Sequence, residues 1–328
     1  MKLTVVVCTY NRCKSLPKAL ESISRSQMPD SVQWEVLVVD NNSRDQTREV
    51  VEDFCGRYPG RFRYLFEREQ GLCAARNAGI RNAQGEIIAF TDDDVTVEPM
   101  WLTNLTAHLE NGEWAGAGGR VLPERSFSPP PWLALSGPHY LGGHLYAHFD
   151  LGDRAGELDR PAYGANMAFR KSMFVKYGGF RTDLGRRPGN QIGGEDIEFG
   201  HRLMGAGERL RYEPSAVVYH EVVAERFKKE FLLRAMLDHG RAVVREDGKR
   251  RGLWGIPKCY LAVPKTVKRL LVAMLRWMRA SDPQIRFFCK CVVWQMTGQL
   301  METFSQSPRT TEDRNVLQAD ESGASSNS

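Results

Sequence analysis

Three short apolar runs punctuate the first hundred residues: LTVVVC (3–8), EVLVVD (35–40) and EIIAFT (86–91). Each is continuous rather than alternating and is rich in β-branched residues. That is the pattern of strands buried on both faces of a parallel sheet. Helical periods lie between and after them. Leu16, Ala19, Leu20 and Ile23 share one face, with Ser15 placed to cap it. Thr47, Val50, Val51 and Phe54 form a second face, preceded by Ser43-Arg44-Asp45-Gln46 in the form of a capping box. Residues 72–83 make a third helix, and Leu102, Leu105 and Leu109 mark a fourth. This β-α-β-α order predicts an open, mostly parallel α/β sheet with right-handed crossovers and a ligand edge at the carboxyl ends of the strands.

The pattern changes after residue 112. AGAGGRV reads as a Gly-rich strand, and 125–163 as a long loop rich in Pro, Gly and aromatic residues. GANMAFR (164–170) predicts a strand, SMFVKYGGF a short helix, and EDIEFGHRLMGAG (195–207) a helix ended by glycines. RLRYEP and AVVYH read as two short strands. The organisation expected is an α/β domain over 1–225, a basic helical extension over 226–304 and a polar, Ser-rich, disordered tail over 305–328.

Charge sharpens the division. The net charge is +5, but residues 226–280 hold 15 Lys and Arg against 4 Asp and Glu, so the excess of positive charge is local. Within it, Val267, Leu270, Leu271, Met274, Leu275 and Met278 share a helical face, and Lys265, Lys268, Arg276 and Arg279 another, with Trp277 near the boundary. A second apolar segment follows Pro283, carrying Ile285, Phe288, Val292 and Met296. Residues 264–300 therefore suit contact with an anionic membrane surface; the plainer alternative is a helical hairpin packed on the catalytic domain. No recognisable module supports nucleic-acid binding. No apolar run approaches the ~18–20 residues that span a bilayer, and the N-terminal apolar stretch is too short for a secretory signal. A cytoplasmic chain, at most peripheral on the membrane, is expected. The seven cysteines are odd in number and lack zinc spacing, which predicts reduced, buried thiols.

The strand ends carry the candidate chemistry. The first run ends in Thr9, Tyr10 and Asn11, the second in Asp40, Asn41 and Asn42, and the third in Asp92, Asp93 and Asp94. Parallel strands place all of these on one edge. Carboxylates ~4 Å apart repel by ~4 kcal/mol at an effective dielectric of 20, a cost that Mg²⁺ or Mn²⁺ turns into attraction. The alternative is an acidic turn that caps the next helix. GLCAARNAGI (71–80) puts Arg76 in a small-residue helix, suited to phosphate or simply to the surface.

VVVCTYNR, VVDNNS, GLCAARNAG, FTDDDV, GANMAFRK…GGF and GGEDIEFGHRL occur in that order over residues 1–222. Together they resemble glycosyltransferase family 2, inverting enzymes of the GT-A fold that use nucleotide sugars. The resemblance implies that Thr9, Tyr10 and Asp40 hold the nucleotide base, UDP being favoured over GDP. It implies that Arg76 faces the diphosphate and that Asp92 and Asp94 form a DxD motif. There Asp94 ligates the metal and Asp92 reaches the ribose or a metal-bound water; Asp93 is grouped with the donor-binding residues. Asp196 is implied as catalytic base with Glu195 beside it, and His220 as a further metal ligand. A single displacement needs one ionised base within reach of the acceptor hydroxyl, and a carboxylate at a helix start is held ionised by the macrodipole. Gly193 and Gly194 would let backbone pass close to a sugar.

The acceptor, a glycan or lipid-linked hydroxyl, is expected under a lid formed by the 125–163 loop with Trp132, His139, Tyr140, His144, Tyr146 and His148. Trp132, Tyr140, Gly164 and Asn166 are the acceptor candidates; zinc on the histidines matches no strong spacing. The activity expected is metal-dependent transfer in cell-surface polysaccharide or glycolipid synthesis. The rivals are an inactive nucleotide-sugar-binding module, which should have lost the DxD or the ED, and a sugar nucleotidyltransferase. The latter needs a Gly-rich, Arg-containing loop after the first strand.

Overall fold

The computed structural model describes residues 2–124, 128–134, 137–141, 143, 147–247 and 258–305. His144, Tyr146 and the tail from 306 lie outside the described residues. The first four strands, β1 (Lys2–Thr9), β2 (Gln33–Asp40), β3 (Phe62–Phe66) and β4 (Ile87–Asp92), are parallel in the order β3-β2-β1-β4. Val5, Val7, Val36, Val38 and Ile88 are fully buried, as the continuous apolar runs require. β3 escaped the sequence reading because only its first residue is buried. Helices α1 (Leu16–Ser24), α2 (Thr47–Arg57) and α3 (Leu72–Asn82) form the crossovers. Leu16, Ala19, Leu20 and Ile23 of α1 are buried as the period predicts; truncating one such side chain to Ala costs roughly 2–5 kcal/mol.

The second half of the sheet mixes antiparallel pairs with one parallel pair. β5 (Val95–Val97) leads into α4 (Trp101–Thr106), and Leu109 is buried beyond the helix rather than in it. Among the described residues, β6 (Gly116–Pro123), the short β7 (Gly156–Glu157), β8 (Asn166–Arg170) and β9 (Leu210–His220) complete a nine-stranded sheet. Its order is β3-β2-β1-β4-β8-β6-β9-β5, with β7 on β9. RLRYEP and AVVYH are one strand. Its pairing with β6 passes from Gly119–Glu213 to Arg120–Val217, so Pro214, Ser215 and Ala216 bulge out.

Two expected caps are built differently. Ser15 precedes α1, but its hydroxyl makes no capping bond. Before α2, Asp45 replaces the capping box: Oδ1 accepts from Thr47 N (3.1 Å) and Oδ2 from Cys13 N (3.1 Å). Partial desolvation opposes ionisation of Asp45, yet the Thr47 hydroxyl, which also donates to Oδ1, and these amide bonds prevail and lower its pKa to about 2.

α5 (Lys171–Tyr177) and α6 (Glu195–Gly205) pack through an aromatic cluster behind β4 and β8. Phe174 and Phe199 stack at 4.7 Å, with Phe90, Phe169 and Phe180 edge-on or tilted around them. Phe199 thereby fixes α6, and with it the position of the acidic first turn.

After β9 come α7 (Lys229–Asp247), α8 (Lys258–Arg279) and α9 (Pro283–Ser305). α7 and α9 meet almost backbone to backbone. A Cβ at Gly240 would lie 2.0 Å from the Gln295 carbonyl oxygen, and one at Gly298 2.0 Å from that of Leu237. Leu232, Met236, Phe287 and Cys291 cluster there with Leu133 and Leu141 of the long loop. Glu302 accepts from Arg241 Nε (3.0 Å) and Arg245 Nε (2.7 Å), tightening the pair. All seven cysteines are unpaired, and Cys73, Cys259, Cys289 and Cys291 are buried.

Candidate active site

Register brings the strand ends together: Thr9 pairs with Asp40, and Cys8 with Asp92. Thr9 and Asp40 are buried, and Tyr10 is half-buried. Asp40 Oδ2 accepts from Tyr64 Oη (2.8 Å) and Oδ1 from Ser43 N (3.0 Å), so this carboxylate is held in place from both sides. Asn11 and Asn42 take left-handed backbone, which Asn tolerates. Ser43 Oγ accepts from Asn11 N at 2.9 Å, and Asn11 Oδ1 from Arg44 N at 2.8 Å. These bonds lace the first two loops into one rigid rim.

The three adjacent aspartates have three environments. Asp92 is partly exposed at the end of β4, 3.5 Å from Arg76 Nη2. Asp93 is buried; desolvation and the neighbouring Asp94 push its carboxyl up to about 7. Asp94 is buried too, and burial alone would raise it. The charges around it outweigh that and hold it below the usual carboxylate range: His220, then Arg226, then Arg12. Arg226 Nη2 lies 3.0 Å and Arg12 Nη2 3.6 Å from Oδ2.

His220 arrives through the antiparallel pairing of β5 with β9, which sets Val95 opposite His220. Its Nδ1 lies 2.8 Å from the Glu221 carbonyl oxygen and must be the donor there. Nε2 then faces Asp94 Oδ1 at 3.3 Å. Two lone pairs facing each other need a proton or a metal ion between them. Ligand atoms of Asp92, Asp94 and His220 all lie within 4.8 Å of one another, a spacing and donor set that fit a divalent cation.

α6 supplies the other acids. Gly194 caps it at φ 92°, a conformation suited to glycine, and Glu195 and Asp196 occupy the first turn. Asp196 Oδ2 accepts from Gly164 N at 2.6 Å and Oδ1 from Ile197 N at 2.8 Å. Glu195 is buried in an ion pair with Arg76, and its Oε2 has no hydrogen-bond partner. Desolvation raises the Glu195 carboxyl, against the pull of Arg76. Arg76, also buried, therefore ties Glu195 to Asp92. A Cβ at Gly164 would fall 2.1 Å from Arg76 Nη2, so Gly164 makes room for the arginine while its amide orients Asp196.

These groups line a cleft of about 390 Å³ that continues between Tyr163 and the α7 residues Phe231, Ala235 and His239. A larger open hollow, about 940 Å³, lies by Lys2, Trp34, Glu35 and Arg63 and holds none of the acidic cluster. Ligands of open α/β sheets bind at the carboxyl edge, which favours the smaller cleft.

The acceptor candidates are not brought together. Trp132 packs against Phe287 at 4.7 Å beneath Lys229, fastening the long loop to the helical extension. Tyr140 bonds His148 Nδ1, and His139 packs on Phe288. Asn166 is corrected outright: fully buried, its amide donates to the Arg120 and Ala216 carbonyls and accepts from Trp101 Nε1, each at 2.8 Å. It pins the bulge of β9 to β6 and α4 and has no polar atom left for an acceptor. Of the four, Gly164 alone lines the cleft. Sequence reasoning missed Arg12 and Arg226, which lie 82 and 132 positions from Asp94 along the chain.

A mixed α/β sheet whose parallel half ends in an acidic, cation-ready cluster is the arrangement of the GT-A fold. The chain belongs to glycosyl transferase family 2, whose family pattern matches residues 4–178. It is 29% identical over 244 residues to the glucosyl-dolichyl phosphate glucuronosyltransferase of Haloferax volcanii, covering 71% of this chain and 73% of that one. It is 29% identical over 264 residues to the succinoglycan biosynthesis protein ExoM of Rhizobium meliloti, covering 78% and 80%. The solved mannosyltransferase PcManGT of Pyrobaculum calidifontis, in complex with GDP-Man and Mn²⁺, shares the fold with a TM-score of 0.62 at 20% identity. It covers 93% of this chain and 88% of its own. The protein is thus a glycosyltransferase whose relatives serve polysaccharide and glycolipid synthesis.

Proposed function

We propose that this glycosyltransferase moves a sugar from a nucleoside diphosphate sugar, with inversion, to a hydroxyl of a glycan or lipid-linked acceptor at the cytoplasmic face. One observation carries the reading: Asp92, Asp94 and His220 converge, and Asp92 and His220 line a cleft together with Asp196, which the Gly164 amide orients. Asp196 takes the proton of the acceptor hydroxyl as its oxygen bonds the anomeric carbon. The bond to the diphosphate breaks, and its electron pair leaves with the diphosphate. Asp94, Asp92 and His220 would hold Mn²⁺ or Mg²⁺, which supplies Lewis-acid neutralisation of the leaving group. The imidazole donor favours Mn²⁺ over the strictly oxygen-seeking Mg²⁺. Arg76 holds Glu195 and Asp92 in register, while Arg12 and Arg226 place positive charge beside Asp94, where the leaving diphosphate would gain negative charge.

Thr9, Tyr10 and Asp40 shape the base pocket, for which we propose uridine; the guanosine nucleotide of the solved mannosyltransferase is the alternative. A thermal-shift titration with UDP, GDP and CDP, each with and without Mn²⁺, tests the donor half. A ligand at 100-fold its Kd adds about 2.7 kcal/mol. Stabilisation by UDP that requires Mn²⁺ is expected. Equal stabilisation without metal, or none by any nucleotide, sinks the assignment.

A further inference from the structure

α8 packs on the side its sequence does not advertise. Cys259, Thr266 and Ala273 are buried, and Leu270 and Trp277 are half-buried along the same seam. Thr266 Oγ1 lies 3.4 Å from Gln299 Oε1 of α9, and Lys290 of α9 sits over the Trp277 ring. The large apolar stripe is left outside. Val267 is 37% exposed, Leu271 55%, Met274 39%, Leu275 48% and Met278 66%. At 100° per residue these five fall on one contiguous side of the helix, with Lys265, Lys268, Arg269, Arg276 and Arg279 on the adjoining side. An exposed apolar patch rimmed by charge marks an interaction surface.

We propose that this outer face of α8 seats on an anionic lipid bilayer. Charge decides between occupants. α8 carries six basic residues and no acidic one, so a second copy of the chain would set like charges against each other. The chain's own 306–328 segment offers only Val316 and Leu317 as large apolar residues, too few to cover five. An anionic leaflet satisfies both halves: headgroups meet the basic side and acyl chains the apolar side. Among the described residues no helix is long and apolar enough to cross a membrane, so α8 lies along the surface. α9 joins α8 to α7, whose Phe231, Ala235 and His239 wall the cleft. The same docking would hold the cleft beside lipid-borne acceptors. The inference does not depend on which sugar is transferred.

Flotation of the full chain with vesicles tests it. Phosphatidylcholine vesicles containing phosphatidylglycerol are compared with phosphatidylcholine alone, beside the exposed-face variant Leu271→Ser/Leu275→Ser/Met278→Ser and the charge variant Lys268→Gln/Arg276→Gln. We expect flotation with anionic vesicles, at least about tenfold weaker in either variant and reduced by salt. The variants should unfold at the wild-type temperature and keep the Mn²⁺-dependent nucleotide shift, separating loss of docking from failure of the transferase reading. No flotation, flotation unchanged by both variants, or a dimer in solution that the serine variant dissolves would overturn the proposal.

Discussion

The parallel half of the sheet and the α7–α9 helices both carry many large apolar side chains, but they bury them differently. In β1, β2 and β4 nearly every side chain is covered, and polarity begins abruptly at Thr9, Asp40 and Asp92. The chemistry sits where burial stops. In the helices, α7 and α9 close around glycines and small side chains, while α8 turns its best apolar stripe outward. An apolar run is therefore not by itself a statement of core. Its meaning depends on whether both faces, or only a seam, find partners.

The contrast can be broken at its chemical end first. Asp196→Asn should lower transfer by ~10²–10⁴-fold while leaving Mn²⁺-dependent nucleotide binding intact, read by single-turnover transfer beside a binding titration. Retained turnover would remove Asp196 as base. Next in size, Arg76→Met strands Glu195 in the interior and should cost about 3–5 kcal/mol in urea unfolding. Arg76→Met/Glu195→Met should recover much of that, since removing both partners leaves no buried charge.

In the helices, Gly240→Ala forces a Cβ against the Gln295 carbonyl and should cost about 1–3 kcal/mol. Leu271→Ser on the outer side of α8 should change stability by less than about 0.5 kcal/mol. Equal losses at the two positions would erase the distinction drawn between α8 and its neighbours. The smallest effect is expected at the loop rim. Asp45 ionises more easily folded than unfolded, so its contribution is fully present above its ordinary pKa of 3.8. It is lost as pH falls through about 2. Asp45→Asn should flatten the acid limb of thermal stability across that window and leave it unchanged near neutrality.

Much of the site was legible because strands encode their own ends. The runs ending in Thr9, Asp40 and Asp92 needed only the assumption of parallel pairing to fall on one edge, and the register bears it out. Asn166 shows the opposite case. It stood among the acceptor candidates, yet its amide is spent on backbone carbonyls 46 and 50 residues away. Nothing local distinguishes an amide that binds a ligand from one that splices strands.

The sequence by itself determined the β-α alternation, the buried faces of α1 and α2, the acidic edge and the basic character of the last helices. Each of these follows from side-chain period and charge over a few turns of chain. Tertiary structure alone decided that β9 is one bulged strand delivering His220 to Asp94. It alone brought Arg12 and Arg226 to the same carboxylate, seated Arg76 between Glu195 and Asp92, and left the apolar side of α8 outward. Local periodicity fixes which face of an element seeks burial. It does not fix which distant element provides it, because many pairings satisfy the same pattern and the packing of the whole chain selects one.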